Sequence, residues 1–240
     1  DRPRPARGRT SGRIDLLATL RAAAPWQTLR GRDDGRLKLR PGDLHVKRHR
    51  HRAESSVIFV VDASGSAALN RLAEVKGAIE LLLSECYARR DHVSLIAFRG
   101  ETSEALLPPT RSLTRVRRAL AGLPAGGTTP LADALMRARA LAEAEAARGR
   151  TPLLVILSDG RGNVALDQTT DRVASEEDTN RAAKLLRASG QTVLFFDTSR
   201  RPSPRAHDLS RSIGAAYSPL PAARASQAVA GRVRDTIGRR

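Results

Sequence analysis

Val57-Ile58-Phe59-Val60-Val61-Asp62-Ala63-Ser64-Gly65-Ser66 is the stretch on which the fold of this chain turns. Its first five residues are apolar and mostly β-branched, the pattern of a strand buried on both faces in a parallel sheet. The run ends in a carboxylate, and hydroxyls follow at alternate positions. Alternate side chains of an extended or turning segment point the same way, so Asp62, Ser64 and Ser66 can converge on one point. One carboxylate and two neutral oxygens suit a small hard cation such as Mg²⁺. The carboxyl ends of strands are also where open α/β sheets bind ligands.

Two distant segments can complete such a site. Gly126-Gly127-Thr128-Thr129-Pro130-Leu131 offers hydroxyls after a glycine pair. Leu153-Leu154-Val155-Ile156-Leu157-Ser158-Asp159-Gly160 is a second buried-strand run that ends in a carboxylate. Asp-x-Ser-x-Ser, Thr after a glycine pair and a strand-terminal Asp-Gly occur here in the order of the von Willebrand factor A (integrin I-like) domain. The resemblance covers about residues 55–220, and three separated motifs agree on it. In that family the motifs form a metal-ion-dependent adhesion site. The resemblance therefore implies Asp62, Ser64, Ser66, Thr129 and Asp159 as ligands of Mg²⁺, with Mn²⁺ able to substitute. It implies direct ligation by the serines, and ligation by the Thr and the second Asp either directly or through water. Thr129 is preferred because Thr129-Pro130-Leu131 matches the family's Thr-starting helix; Thr128 is the alternative.

A narrower resemblance rests on the flanking residues. Arg71–Ala78, Leu81-Leu82-Leu83, Arg89–Gly100, Leu107–Leu113 and Ser158–Asn163 together resemble the C-terminal part of the magnesium chelatase D subunits. Ala22-Ala23-Ala24-Pro25-Trp26-Gln27 is similar to the segment that precedes the adhesion domain there. That family works in an ATP-dependent complex that inserts Mg²⁺ into protoporphyrin IX for chlorophyll and bacteriochlorophyll synthesis. The resemblance implies an AAA+ motor subunit and a porphyrin-binding subunit as partners. It implies a non-catalytic docking module, with an acidic side chain of a partner completing the metal site. The metal loops carry no His or Glu to act as a general base, and metal-assisted catalysis needs one.

Composition bounds the other readings. A chain of 240 residues can bury one substantial core. No apolar run approaches the roughly 18–20 residues of a membrane span, and Asp1-Arg2-Pro3-Arg4-Pro5 lacks the apolar core of a signal peptide. The start also lacks an initiator Met, which reads as a fragment of a longer chain. A single cysteine, Cys86, excludes an internal disulfide and fits a reducing, cytoplasmic compartment. It falls in an apolar helical run and reads as core packing. The net charge of +17 raises nucleic acid as a partner. Aromatic residues are only 3% of the chain, which leaves few stacking platforms, so the charge reads as a solvated basic surface.

Along the chain, residues 1–12 read as an unstructured Pro/Arg-rich remnant, 13–54 as an N-terminal extension, and 55–240 as the adhesion domain. Ile14–Leu20 predicts a short helix that stops before Pro25, with Trp26 packing it onto the domain. Arg36–Arg40 and Leu44–His51 alternate around Pro41-Gly42-Asp43 and predict a basic β-hairpin. Its Lys47, Arg48 and Arg50 are candidates to bind an acidic neighbour. His45, His49 and His51 are interleaved with those cations, which disfavours zinc. Strands are expected near 56–62, 92–98, 104–107, 152–158, 191–196 and 215–218. Helices are expected near 69–89, 113–121, 130–148, 175–189, 203–213 and 223–238, with Ser175 and Asp178 resembling a capping box. This alternation predicts a doubly wound, mostly parallel six-stranded sheet with helices on both faces. The 104–107 strand follows a tight turn and should run antiparallel at one edge. Asp197 ends another strand and reads as a turn residue.

Other function classes fit less well. An adhesion-domain partner of another AAA+ ATPase in metal-centre assembly is a close variant. A phosphoryl-transfer hydrolase of the haloacid dehalogenase type needs a second Asp where Ser64 stands. No Gly-x-x-x-x-Gly-Lys-[Ser/Thr] nucleotide loop is present.

Overall fold

The computed structural model describes residues 4–5, 14–31, 36–46, 54–64, 86, 89–122, 126–199, 201–219, 231, 233 and 235–236. The chain divides into two compact units, Asp1–Arg52 and Ala53–Arg240.

In the larger unit, β3 (Ser55–Asp62), β4 (His92–Arg99), β5 (Thr102–Thr110), β6 (Thr151–Ser158), β7 (Thr192–Asp197) and β8 (Ala216–Pro219) form one sheet. Their spatial order is β5-β4-β3-β6-β7-β8. All pairs are parallel except β4–β5. The antiparallel pair turns at Gly100, which adopts φ +65°, and Arg99 pairs with Thr102. The helices are α2 (Leu113–Ala121), α3 (Leu131–Ala147), α4 (Arg172–Ala188) and α5 (Pro204–Ile213).

The period-two alternation of side chains divides each central strand between two cores. Val57, Phe59, Val61, Val155, Leu157 and Phe196 pack on one face with Cys86, Val116 and Val233. Ile58, Val60, Ile156 and Phe195 pack on the other with Leu135 and Ala138 of α3, Ala183 of α4 and Leu209 of α5. Both faces are covered, so the strands have no polar side to show, and β3 reads as a continuous apolar run. Phe59, Phe98, Phe195 and Phe196 are fully buried, each stabilising by about 1.5–3 kcal/mol. Cys86 is 2% exposed, a core position as its sequence context indicated.

The sheet has an ionic end and a polar end. At the strand-start end, Glu145 has no solvent exposure and accepts from Arg148 Nη1 at 2.7 Å and Arg150 Nη1 at 2.6 Å. Glu54 pairs with Arg111 nearby. The strand-terminal end holds Asp62 and Ser158.

One helix start departs from expectation. α4 begins a turn before Ser175, at Arg172, with Asp171 as its cap accepting from Val173 N–H at 2.9 Å. Ser175 is buried and donates to the Val164 carbonyl, while Asp178 accepts from Leu166 N–H. Each is therefore committed to the loop beneath the helix and does not cap it.

The smaller unit contains α1 (Leu16–Ala23), capped by Asp15, and a two-stranded sheet of β1 (Arg4–Pro5) with β2 (His45–Val46). The predicted hairpin over Arg36–Arg40 and Leu44–His51 is not formed within the described residues. Residues 36–40 carry no strand, Pro41–Asp43 is a 3₁₀ turn, and β2 pairs antiparallel with Arg4–Pro5, which the sequence placed in an unstructured remnant. Gln27 supplies the reason. Its buried amide donates to the Lys38 carbonyl at 3.0 Å and accepts the Lys38 N–H at 2.9 Å, so the backbone there is already paired. The Arg30 fork holds Asp43 at 2.5 and 3.0 Å. The hydrogen bonds from Arg30 and the Arg40 N–H hold the Asp43 carboxyl down at about 2. Trp26 is 52% exposed. Among the described residues, no helix is long and apolar enough to cross a membrane.

Candidate metal site

β3 and β6 are adjacent and parallel, so both end at the same edge of the sheet. The chain leaving β3 turns toward β4 and the chain leaving β6 turns the other way, toward β7, so the gap between β3 and β6 is the switch point at which open α/β sheets bind ligands. Asp62 Oδ1 accepts the Ser64 N–H at 3.0 Å and the Ser64 hydroxyl at 2.6 Å. Its Oδ2 accepts the Ser158 hydroxyl at 3.1 Å. The Thr129 hydroxyl donates to Ser64 Oγ at 2.7 Å. A carboxylate and three hydroxyls thus converge from three separate segments.

The loop that carries Thr129 is held from several sides. Gly126 N–H donates to the Ala63 carbonyl at 2.8 Å. Gly127 has φ +94°, and a Cβ there would stand 3.2 Å from Gly100 N, so the glycine lets the loop lie against the β4–β5 turn. The Thr128 hydroxyl donates to the Gly100 carbonyl at 2.6 Å and is committed there, whereas Thr129 faces Ser64. Asn163 exchanges hydrogen bonds with Thr129: Thr129 N–H donates to Asn163 Oδ1 at 2.6 Å, and Asn163 N–H donates to the Thr129 carbonyl at 3.1 Å. Asp133, in the first turn of α3, accepts from the Ser103 N–H and hydroxyl, both at 2.6 Å, and fixes the helix that follows Thr129.

Burial pushes the Asp62 carboxyl up to about 6; the Ser64 hydrogen bonds oppose this, and the negative charge of Asp159 adds to it. Asp159 is partly exposed. Its Oδ1 accepts the Arg161 N–H at 3.0 Å, and its Oδ2 lies 3.9 Å from the Arg161 guanidinium. Asp62, Ser64 and Thr129 are in direct contact, and Asp159 is close enough to act on Asp62 through its charge. Ser66 lies outside the described residues, as do Lys47, Arg48 and Arg50.

Two residues of this site were not singled out from the sequence as functional. Ser158 orients Asp62, and Asn163 orients Thr129. Both stand in Ser158–Asn163, where a polar residue directly before a strand-terminal Asp was the available signal. The other strand-terminal carboxylate, Asp197, is saturated. It accepts from Ser199 N–H and Ser203 N–H, both at 2.8 Å, and from the Tyr217 hydroxyl at 2.7 Å, which is the work of a turn residue.

The donor set fits a hard divalent cation. Asp62 is half-buried, and no Lys, Arg or His pairs with it among the described residues, so a cation would supply the missing counter-charge. Among the described residues, no cluster of three or more His, Cys, Asp or Glu side chains is placed to hold a metal. The convergence here depends on hydroxyls, with only two carboxylates, and such a set leaves Mg²⁺ several of its waters.

Residues 57–161 match the family model of the von Willebrand factor type A domain. That part of the chain carries a von Willebrand factor type A domain. Residues 2–49 match a second family, the AAPxQ domain, and contain Ala23-Ala24-Pro25-Trp26-Gln27. The chain is 53% identical over 228 residues to the magnesium-chelatase 60 kDa subunit of Cereibacter sphaeroides, covering 92% of this chain and 41% of that protein. Identity to the magnesium-chelatase 60 kDa subunit of Rhodobacter capsulatus is 46% over 245 residues, covering 99% of this chain and 43% of that protein. The chain thus spans about two fifths of the length of these relatives. Among solved structures, the von Willebrand factor type A protein of Catenulispora acidiphila superposes with a TM-score of 0.58 at 15% identity, over 78% of this chain and 43% of that one. At that identity the likeness shows the fold alone. The resemblance to magnesium-chelatase subunits that the motifs carry therefore extends, beyond the von Willebrand factor A domain, across almost the whole chain.

Proposed function

We propose that this chain is the metal-dependent docking module of a magnesium-chelatase subunit. It would join an AAA+ motor subunit and a porphyrin-binding subunit in the ATP-driven insertion of Mg²⁺ into protoporphyrin IX. The observation that carries this reading is the gathering of Ser64 and Thr129 about the half-buried Asp62 carboxylate, with no cationic side chain paired to it among the described residues. Asp62, Ser64, Ser66, Thr129 and Asp159 would hold Mg²⁺ or Mn²⁺. When bound, the ion offers an open coordination position to an acidic side chain of the partner. The metal loops carry no His or Glu, so the module binds and does not itself catalyse. The lone, buried Cys86 fits a reducing compartment such as the cytoplasm.

The test is association with the motor and porphyrin-binding subunits, with and without chelator. Chelator should weaken the complex by about 30-fold or more, the effect of losing one enclosed charge pair. Asp159→Ala should do the same in the presence of Mg²⁺. Binding that is indifferent to both treatments would place docking on another surface.

The basic segment Lys47–Arg52 is proposed as a second, electrostatic contact with an acidic neighbour. Replacing Lys47, Arg48 and Arg50 by Glu should slow association and leave Mg²⁺ affinity nearly unchanged. Salt at about 0.5 M should weaken this contact more than the metal-mediated one, because the Debye length falls well below the ~10 Å of 0.1 M. Stopped-flow association rates as a function of salt decide it; an unchanged rate in the triple variant would leave the segment as a solvated edge.

A further inference from the structure

A cavity of about 140 Å³ opens between α4, α5 and the loop that leaves Asp159. Arg161, Arg172 and Arg205 line it, together with Glu176, Asp208 and Thr179. Thr179 is only 7% exposed, and its hydroxyl has no hydrogen-bond partner among the described residues. Buried hydroxyls are nearly always satisfied, so an unsatisfied one lining a cavity marks a place for a ligand atom. Among the described residues, neither Arg172 nor Arg205 is held in an ion pair, while Asp208 lies 3.8 Å from His207. The three guanidiniums outnumber the two carboxylates, so the wall keeps a net positive charge. Gly162 keeps Thr179 reachable, since a Cβ there would stand 3.1 Å from Thr179 Oγ1.

The cavity adjoins the candidate metal site along the chain. Asp159 belongs to that site, and the next residues, Gly160, Arg161 and Gly162, line the cavity. We propose that the cavity is a second anchor for the acidic partner segment, taking one carboxylate side chain while the metal face takes another. This rests on the docking reading above. Guanidiniums grip carboxylates with two parallel hydrogen bonds, and the Thr179 hydroxyl can donate a third. The two acidic residues in the wall favour a single compact carboxylate over a polyphosphate chain, which would meet them with charge after charge.

The experiment uses the 240-residue chain in Mg²⁺ and synthetic peptides carrying one Asp, or two Asp separated by Ala-Ser spacers of increasing length. Fluorescence anisotropy should show about tenfold tighter binding of a two-Asp peptide for at least one spacer length. Arg172→Ala combined with Arg205→Ala should remove that advantage, and so should Thr179→Val alone. Neither change should alter Mg²⁺ binding, measured by calorimetry, or affinity for the one-Asp peptide. Arg172 and Arg205 are exposed and Thr179→Val keeps the side-chain shape, so the fold should survive both. Equal affinities of the two peptides, or an advantage that survives in both variants, with Mg²⁺ binding intact, would overturn the cavity alone. Absence of Mg²⁺ binding in the unaltered chain would overturn the metal reading and the anchor with it. A selective loss of duplex DNA binding in the double variant, with peptide binding unchanged, would make the cavity a phosphate contact and also overturn the proposal.

Discussion

Asp62→Ala is expected to abolish Mg²⁺ binding while leaving the metal-free fold within about 1 kcal/mol of its original stability. The two halves of this expectation come from the same carboxylate. Its pKa in the fold is about 6, above the ordinary 3.8, because burial disfavours the ionised form. A raised carboxylate pKa contributes stability below the unfolded value and loses it as pH rises through the folded one. At neutral pH, with no metal, the ionised Asp62 therefore weighs against the fold by about 1–3 kcal/mol. Removing it relieves that cost but gives up three accepted hydrogen bonds, each worth about 1 kcal/mol net. The two effects nearly cancel. The proposed metal binding has no such compensation, because Asp62 would supply one of the only two carboxylates of the site. Protons should also compete with the ion, so the apparent Kd for Mg²⁺ should rise about tenfold per pH unit below about 6. Calorimetry across pH and thermal melting of both proteins check this. Unchanged Mg²⁺ affinity in the variant would remove Asp62 from the site, and a large loss of metal-free stability would make it a structural turn residue.

Arg150→Ala is expected to destabilise the larger unit by about 3 kcal/mol, the lower end of what breaking a buried ion pair costs. Glu145 is fully enclosed near the C-terminus of α3, and Arg150 holds its Oε2 at 2.6 Å. Arg148 remains on Oε1 but is 58% exposed, so it compensates only in part. Arg150 also lies 4.0 Å from Glu54, which loses a neighbour. For a domain of this size the melting temperature should fall by about 6–12 °C. The pH dependence has a definite sign. Burial pushes the Glu145 carboxyl up, but the Arg150 and Arg148 hydrogen bonds outweigh it and leave it below its ordinary 4.5. Its stabilising contribution is therefore present above about 4.5 and lost as pH falls through the lower folded value. The variant and the original protein should converge in stability under acid. Adding Glu145→Leu to Arg150→Ala should recover much of the loss, since it removes the stranded charge. A melting temperature unchanged by Arg150→Ala would show that Arg148 alone suffices.

What the sequence determined by itself was the frame. The apolar runs at 57–61 and 153–157 specified buried parallel strands, because only a sheet covered on both faces needs every side chain apolar. The tight turn after Arg99 specified the antiparallel edge. Asp62, Thr129 and Asp159 were legible because motif spacing records where strands end. Tertiary structure alone decided the rest. Thr128 and Thr129 are adjacent hydroxyls, and only the Gly100 carbonyl and the Asn163 amide separate their roles. The hairpin over 36–51 was sound as a pattern, but Gln27 had already taken the backbone of Lys38, a pairing across eleven residues that no local periodicity encodes. The capping box at Ser175 failed for the same reason, since the loop below α4 claimed both of its side chains. Local propensity fixes what a segment can become; which polar groups remain free to do it depends on what the fold brings beside them.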